Sequence, residues 1–242
     1  MEFKVMTYNI HHGEGTDDRI DLNRIAEVID QSGADIIGLT EVDKHYSKRS
    51  HYKNQIAWLA KELDMDYAFA PSLTLKSGDA STARQYGNAL LSRYPITADK
   101  TYPFDFISGI VEGRSLLDAT IQLDKKIVQI NVTHLSLHPF LHHLQTSHMV
   151  NKLDKCLHPL IIMGDFNMKP ESRRWNKMTE DLQDVWKMTG NGKGFTYPSD
   201  NPRSRLDYIF VAPSIDVVQA EVETHLPEAS DHLPVKAHLR IS

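Results

Sequence analysis

Only one cysteine, Cys156, stands among the 242 residues, which excludes an internal disulfide framework and favours a reducing compartment without fixing one. No aliphatic run approaches the ~20 residues that a membrane helix needs. The opening "MEFKVMTYNI" lacks a basic segment followed by a long apolar one, so no secretory leader is read and a cytoplasmic location is expected. A basic surplus is missing as well: 27 Lys and Arg face 32 Asp and Glu, a formal charge of −5. Proteins that grip a nucleic-acid backbone usually carry a positive excess, so this balance weighs against extensive contact with DNA or RNA. No repeat, low-complexity tract or linker divides the chain. Its length suits one domain over residues 1–242, large enough to bury a core without staples.

What is present is a series of apolar runs: "FKVMTYNI", "ADIIGLTE", "GNALLSRYPI", "SLLDATIQL", "KIVQINVTH", "HPLIIMGDFN", "LDYIFVA" and "VKAHLRIS". Their length, β-branched content and flanking turn residues predict strands. Helical spacing appears between some of them. "DLNRIAEVIDQSG" sets Leu22, Ile25, Ala26 and Ile29 on one face, with Asp21 as N-cap and Gly33 as stop. "YKNQIAWLAKELD" does the same with Ile56, Leu59, Ala60 and Leu63, and "FLHHLQTSHMVNKLDK" is a third candidate. Strands outnumber helices and several are a hairpin apart, which predicts a mixed α and β protein with at least one large sheet. Thr74 to Tyr86 and Thr189 to Arg205 read as long loops of the kind that edge a site.

The endings of these runs carry the chemistry. They reach Asn9, Glu41, His134, Asp165 and Asn167; Asp207 opens another, and Asp231 and His232 immediately precede the last. A carboxylate beside buried aliphatics is costly unless it meets a cation or hydrogen-bond donors. Singly, each has an ordinary reading: an Asp at a strand end forms turns or caps, Asn9 suits an Asx-turn, and His134 suits a satisfied core histidine. Jointly, converging ends would assemble an oxygen-rich cluster with two imidazoles, and oxygen donors without thiolates suit Mg²⁺ or Mn²⁺.

In order, "TYNI", "LTEVD", "GNALLSRYPI", "NVTHLS", "MGDFN", "SRLDYIFV" and "SDHLPV", between residues 7 and 235, resemble the endonuclease/exonuclease/phosphatase superfamily. That superfamily includes pancreatic-type deoxyribonucleases, exonuclease III-like repair enzymes, inositol-polyphosphate 5-phosphatases and neutral sphingomyelinases. The resemblance implies a four-layered α/β/β/α sandwich of two packed mixed sheets flanked by helices. It implies a metal-dependent phosphoesterase, with Mg²⁺ as cofactor and Mn²⁺ as a substitute. Glu41 would be the principal metal ligand, with Asn9 and Asp231 close to the ion. Asp165 would orient or deprotonate the attacking water, held by Asn167. His232 would donate to the scissile phosphate and be oriented by Asp207, with His134 as a second phosphate-directed imidazole. Asn88 and Arg114 lie in shorter motifs and would touch substrate phosphate. Cys156 lies in none of the motifs.

Such residue types are what phosphate ester hydrolysis demands. The ester is anionic and repels hydroxide, so charge must be neutralised and a nucleophile made at neutral pH. Proton transfer adds ~10²–10⁴-fold, and donors aimed at the reacting oxygens add electrostatic stabilisation.

The substrate is less defined. Exonuclease III-like enzymes carry tyrosine where this chain has "THLS", whereas the deoxyribonuclease I-like, sphingomyelinase and phosphatase branches carry histidine. No basic stretch interleaved with aromatics, the signature of a single-strand tract, is present. A small phosphodiester, a phospholipid head group or a sugar phosphate is therefore expected. A DNA endonuclease or exonuclease stays open as the alternative, and no protein partner is indicated. A catalytically inactive binding module would have lost the metal-binding Glu or the Asp-His pair, and both are kept. A transition-metal site in "THLSLHPFLHHLQTSH" is disfavoured because Pro139 separates His138 from His142, and these histidines read as solvent-facing. His11 and His12, next to Asn9, could line the pocket but are assigned no role.

Overall fold

Alternation along the first strand sets the layers. In the computed structural model, which describes residues 1–75, 83–106, 113–153 and 158–242, Phe3 and Val5 of β1 (Glu2–Asn9) pack between two sheets with Leu117, Val132 and Met163. Met6 and Tyr8 face the other way, onto Ile25, Ile29 and Ile56. Successive side chains of a strand point to opposite faces, so a strand apolar at both parities must be covered on both.

The chain continues through α1 (Leu22–Ser32), β2 (Ile36–Lys44), α2 (Gln55–Leu63), β3 (Asp66–Leu75), β4 (Arg84–Ser92), β5 (Ile96–Pro103), β6 (Ser115–Leu123), β7 (Lys126–His134) and α3 (Pro139–Leu153). It ends with β8 (Leu160–Asp165), α4 (Arg173–Met178), β9 (Gln183–Asp184), α5 (Val185–Thr189), β10 (Asp207–Val211), β11 (Ile215–Val222) and β12 (Val235–Ile241). One sheet has the order β11-β12-β1-β2-β4-β3 and the other β5-β6-β7-β8-β10-β9. Helices α1 and α2 cover the outer face of the first sheet. Met149 of α3 and Trp175 and Met178 of α4 cover the outer face of the second, against Leu160, Ile162, Tyr208 and Phe210. The expected α/β/β/α layering is what forms.

Helix α1 starts and stops where the sequence indicates. Asp21 accepts a bond from Asn23 N, and Gly33 ends α1 in the left-handed region at φ 59°. Asn54 caps α2 by accepting from Ala57 N. Helix α3 begins at Pro139, a first-turn position where the missing N–H costs nothing. Glycine permits a close approach of the sheets at Gly38, where a Cβ would stand 2.8 Å from the Met163 side chain.

Two expectations need correction. Thr74–Tyr86 is not all loop: Leu73, Thr74 and Leu75 of β3 pair with Tyr86, Gln85 and Arg84 of β4, and residues 76–82 lie outside the described residues. Strand β3 is an edge strand with half-exposed flanks, so apolar periodicity is weak there. "GNALLSRYPI" is likewise not one run. β4 ends at Ser92 in the first sheet and β5 begins at Ile96 in the second, so Tyr94 and Pro95 belong to the turn between sheets. Cys156 lies outside the described residues, among which no helix is long and apolar enough to cross a membrane.

Candidate active site

Each sheet contains one central parallel pair, and both pairs end at the same edge of the sandwich. β1 runs parallel to β2, with Asn9 opposite Thr40. β7 runs parallel to β8, with His134 opposite Asp165, and β10 starts antiparallel to β8 with Asp207 opposite Asp165. Register within the sheets thus gathers His134, Asp165 and Asp207 and sets Asn9 beside Thr40, next to Glu41.

Local backbone then aims them. The β2–β4 ladder slips between Leu39 and Val42, and Glu41 within that slip has φ 63°. A bulge of this kind turns one side chain out of the alternation, and an acidic residue in the left-handed region is strained. Gly164 precedes Asp165 at φ 147°, and a Cβ there would fall 1.8 Å from Thr133 O, so only glycine lets β8 deliver its carboxylate beside β7.

Asp165 is 2% exposed and is the hub. Its carboxylate accepts from Asn167 N at 3.0 Å and from Asn9 Nδ2 at 3.2 Å. His134 Nε2 stands 3.4 Å and His232 Nε2 3.8 Å from Asp165 Oδ2. Burial, partly offset by the charge of His232, pushes the Asp165 carboxyl up to about 7. Asn167 donates its side-chain nitrogen to Leu135 O at 3.0 Å and lies 3.1 Å from His134 Nε2.

His232 is paired through Nδ1 with Asp207 Oδ2 at 2.8 Å, and Thr196 Oγ1 donates to the same oxygen at 2.6 Å. Burial disfavours the imidazolium, but the charge and hydrogen bond of Asp207, with Asp165 and Asp231 behind, overcome it and raise the ring to about 10. His134 goes the other way: burial, then the charges of Arg114 and His232, hold it well below the ordinary imidazole value. One imidazole is therefore cationic and the other neutral at pH 7, and tautomer and charge are set by neighbours.

On the first sheet's side, Asn9 Nδ2 reaches Glu41 Oε1 at 3.2 Å. Asp231 approaches His11 Nδ1 at 3.9 Å, and the adjacent Ser230 Oγ donates to Asn9 O at 2.8 Å. One donor atom each from His11, His12 and Glu41 lie within 4.8 Å of one another, as do donors from Asp165, Asp207 and His232. Asn9 Nδ2 bridges Glu41 and Asp165, and with Asp207 and Asp231 these carboxylates outnumber the cationic His232 and Arg114, a donor set that fits a divalent cation.

The remaining expected residues divide. Arg114 Nη1 is 3.4 Å from His134 Nδ1, beside Tyr86, whose hydroxyl bonds Glu41 and is pushed up by burial and by that carboxylate. Asn88 is 1% exposed and spends its amide nitrogen on Ser115 O at 2.8 Å, tying β4 to β6. In the histidine-rich helix His138 and His143 are exposed, whereas His142 is fully buried, contrary to the solvent-facing reading. His142 turns inward because its Nε2 bonds Phe166 O at 2.7 Å and its Nδ1 meets Thr146 Oγ1 at 3.1 Å. Sequence reading missed Thr196, Tyr197, which lies 4.8 Å ring to ring from His232, and Tyr86. The first two fall in the Thr189–Arg205 loop, expected to edge a site, and adjacency to Asn9 was the only signal for His11.

This sandwich, with its edge of carboxylates, amides and paired imidazoles, defines a class. The chain belongs to the endonuclease/exonuclease/phosphatase family, whose model matches residues 6–232. Members are generally hydrolases of phosphoester bonds, generally depend on a divalent metal, and include enzymes acting on nucleic acids. No curated protein sequence matches the chain. Among solved structures, an endonuclease/exonuclease/phosphatase from Beutenbergia cavernae is 26% identical, with TM-score 0.81, covering 100% of this chain and 72% of its own. The mannosyl-6-phosphatase of Bacteroides thetaiotaomicron is 18% identical, with TM-score 0.77 and coverage of 99% and 100%. The human Nocturnin catalytic domain, solved with bound sulfate, is 19% identical, with TM-score 0.73 and coverage of 100% and 94%. The last two likenesses show the fold alone.

Proposed function

We propose that the whole chain acts as one metal-dependent phosphoesterase in which a water is activated by Asp165 and the scissile phosphate is held by His232. The observation that carries this is the Asp165 hub, a buried carboxylate raised to about 7 with one cationic and one neutral imidazole facing it. A base whose pKa lies near the working pH combines the right protonation state with driving force for proton transfer. Asn167 N and Asn9 Nδ2 fix its oxygens, so the free lone pairs point at a defined place. His232, cationic and held by Asp207, donates from Nε2 to a phosphate oxygen as charge develops. Arg114 adds a second positive group beside His134. A divalent ion held by Glu41, with Asn9 and Asp231 beside it, would supply charge neutralisation at the phosphate.

The substrate favoured is a small phosphodiester or a phospholipid head group, Mg²⁺ or Mn²⁺ being the ion. A second reading, a nucleic-acid strand, is supported by one observation. A groove of about 860 Å³ opens from Asn167 and Met168 and is lined by Lys169, Arg173, Arg174 and Lys177, against one acid, Glu180. The net charge of −5 averages over this local basic tract. Turnover of bis-p-nitrophenyl phosphate, lost in EDTA and restored by Mg²⁺ or Mn²⁺, tests the reaction class. Undiminished turnover after exhaustive chelation would falsify it. Duplex DNA with and without an abasic site, single-stranded DNA, a phospholipid and sugar phosphates, assayed side by side, separate the two substrate readings.

A further inference from the structure

We propose that His11 and His12 complete the ion site with imidazole nitrogens, so that this chain prefers a later first-row transition ion to Mg²⁺. The inference rests on the reading that Glu41 anchors the ion, and it adds ligands that the strand-end pattern does not supply.

His12 is 6% exposed, and its Nε2 lies 3.1 Å from Glu14 Oε2. Its Nδ1 is buried without a hydrogen-bond partner. One ring nitrogen on a carboxylate and the other unpaired is the arrangement of a metal-bound histidine, in which the carboxylate fixes the tautomer and strengthens the ligand. A merely structural buried histidine would have both nitrogens satisfied, because a buried polar atom left unpaired keeps its full desolvation penalty. His11 Nδ1 is also buried and unpartnered, 3.9 Å from Asp231 Oδ1.

Backbone geometry supports the same assignment. His11, His12 and Glu41 all take positive φ, at 43°, 45° and 63°. Such strain in non-glycine residues persists only where surrounding structure enforces it. The enforcement is visible: Gln55 Nε2 donates to His12 O at 2.6 Å and Gln55 Oε1 accepts from Asp43 N at 2.9 Å, clamping the histidine turn to the Glu41 strand. Donors about 2.1 Å from a shared ion stand ~3.0–4.2 Å apart. The 3.9 Å pair and the 4.8 Å group are therefore a small side-chain adjustment from coordination. Imidazole donors raise affinity along the first-row series, whereas Mg²⁺ favours oxygen and retains water.

The test is calorimetric titration of the metal-free protein with Co²⁺ and with Mg²⁺, joined to X-ray absorption of the Co²⁺ protein. Wild type should bind Co²⁺ at least about tenfold more tightly than Mg²⁺ and show imidazole scattering. Replacing both residues, His11→Gln with His12→Gln, should weaken Co²⁺ at least about tenfold while Mg²⁺ affinity stays within about twofold. Glu41→Gln should weaken both ions. Glu14→Gln, which leaves the turn intact, should weaken Co²⁺ alone and carries the test if the double variant does not fold. Unchanged Co²⁺ affinity in the histidine variants, or no imidazole scattering, overturns the proposal while the Glu41 reading stands. A wild-type protein that binds neither ion overturns both.

Discussion

The two sheets contribute to the site by the same device, a parallel strand pair ending at a shared edge, yet they deliver different kinds of group. At the end of β7 and β8, Asp165 and Asn167 already hold one another, Asn9, His134 and the Leu135 carbonyl. At the end of β1 and β2, Glu41, His11 and His12 sit on strained backbone, and both imidazoles leave a nitrogen unpartnered. One half is a closely knit hydrogen-bond network suited to moving a proton, although Asn167 takes φ 45° and Asp207 Oδ1 is buried without a partner. The other presents two imidazole nitrogens that meet no hydrogen-bond donor or acceptor beside the Glu41 carboxylate. Strained backbone and unsatisfied buried atoms persist only where the surrounding structure enforces them, and here they mark both halves of the site.

The strongest test of this division removes the proton-handling half. Asp165→Ala and His232→Ala should each lower kcat on bis-p-nitrophenyl phosphate by ~10²–10⁴-fold, the usual worth of a positioned acid or base. Thermal melts should show the fold retained. A loss under about tenfold in either variant would remove that residue from the chemistry.

A finer cut separates His232 from the group that charges it. Asp207 bonds it at 2.8 Å, and the carboxylates around the ring raise it to about 10. A raised histidine stabilises the fold fully below its unfolded value of about 6.5, and that stabilisation disappears as pH rises through about 10. In Asp207→Asn the ring should lose its proton nearer pH 6.5, so the alkaline limb of the pH–rate profile moves down. Activity at pH 8 should fall about 10²-fold and at pH 5.5 by less. An unmoved alkaline limb would mean that Asp207 does not set the charge of His232.

Much of this was legible in the sequence because the strong elements are two-sided. Strands β6 and β7 start and end where their apolar runs do, and α1 is bounded by Asp21 and Gly33 as its capping residues indicate. Edge strands escaped: β3 and β11 present exposed or half-exposed positions, so burial does not impress a period on them. Asn9, Glu41, Asp165 and Asp207 were readable as site candidates because polar residues at the tips of buried runs are conspicuous. Thr196, Tyr197 and Tyr86 were not. They reach the site from a loop or a strand flank, and only the folded register brings Thr196 to Asp207. His142 misled for a related reason: helical spacing gives its position on α3 but not the Phe166 carbonyl that draws it inward.

His142 also bears on the proton-handling half from behind. Its Nε2 holds the carbonyl of Phe166, between Asp165 and Asn167, at 2.7 Å in a fully buried position. His142→Leu removes that donor and leaves an acceptor without it, at a cost of about 2 kcal/mol in urea unfolding. kcat should fall with it, because Asp165 and Asn167 are then held less firmly. Unchanged stability with lost activity would place the histidine in the chemistry instead.

The smallest expected effect asks what the proton-handling half costs the fold. Burial raises Asp165 from the ordinary 3.8 to about 7, so below pH ~4 it is protonated whether folded or not and carries no penalty. Between about 4 and 7 the folded protein binds the extra proton, and stability declines as pH rises, in full above 7. Asp165→Asn keeps an acceptor for Asn167 N and removes the charge, but it also removes a partner of His232. The two effects oppose, leaving a net gain of about 1 kcal/mol at pH 7.5 in EDTA and almost none at pH 4.5. Denaturant unfolding at both pH values reads the difference directly. A gain equal at the two pH values, or a loss at pH 7.5, would show that the carboxylate is not held against its own burial, and the proton-handling role given to the β7–β8 end would have to be redrawn.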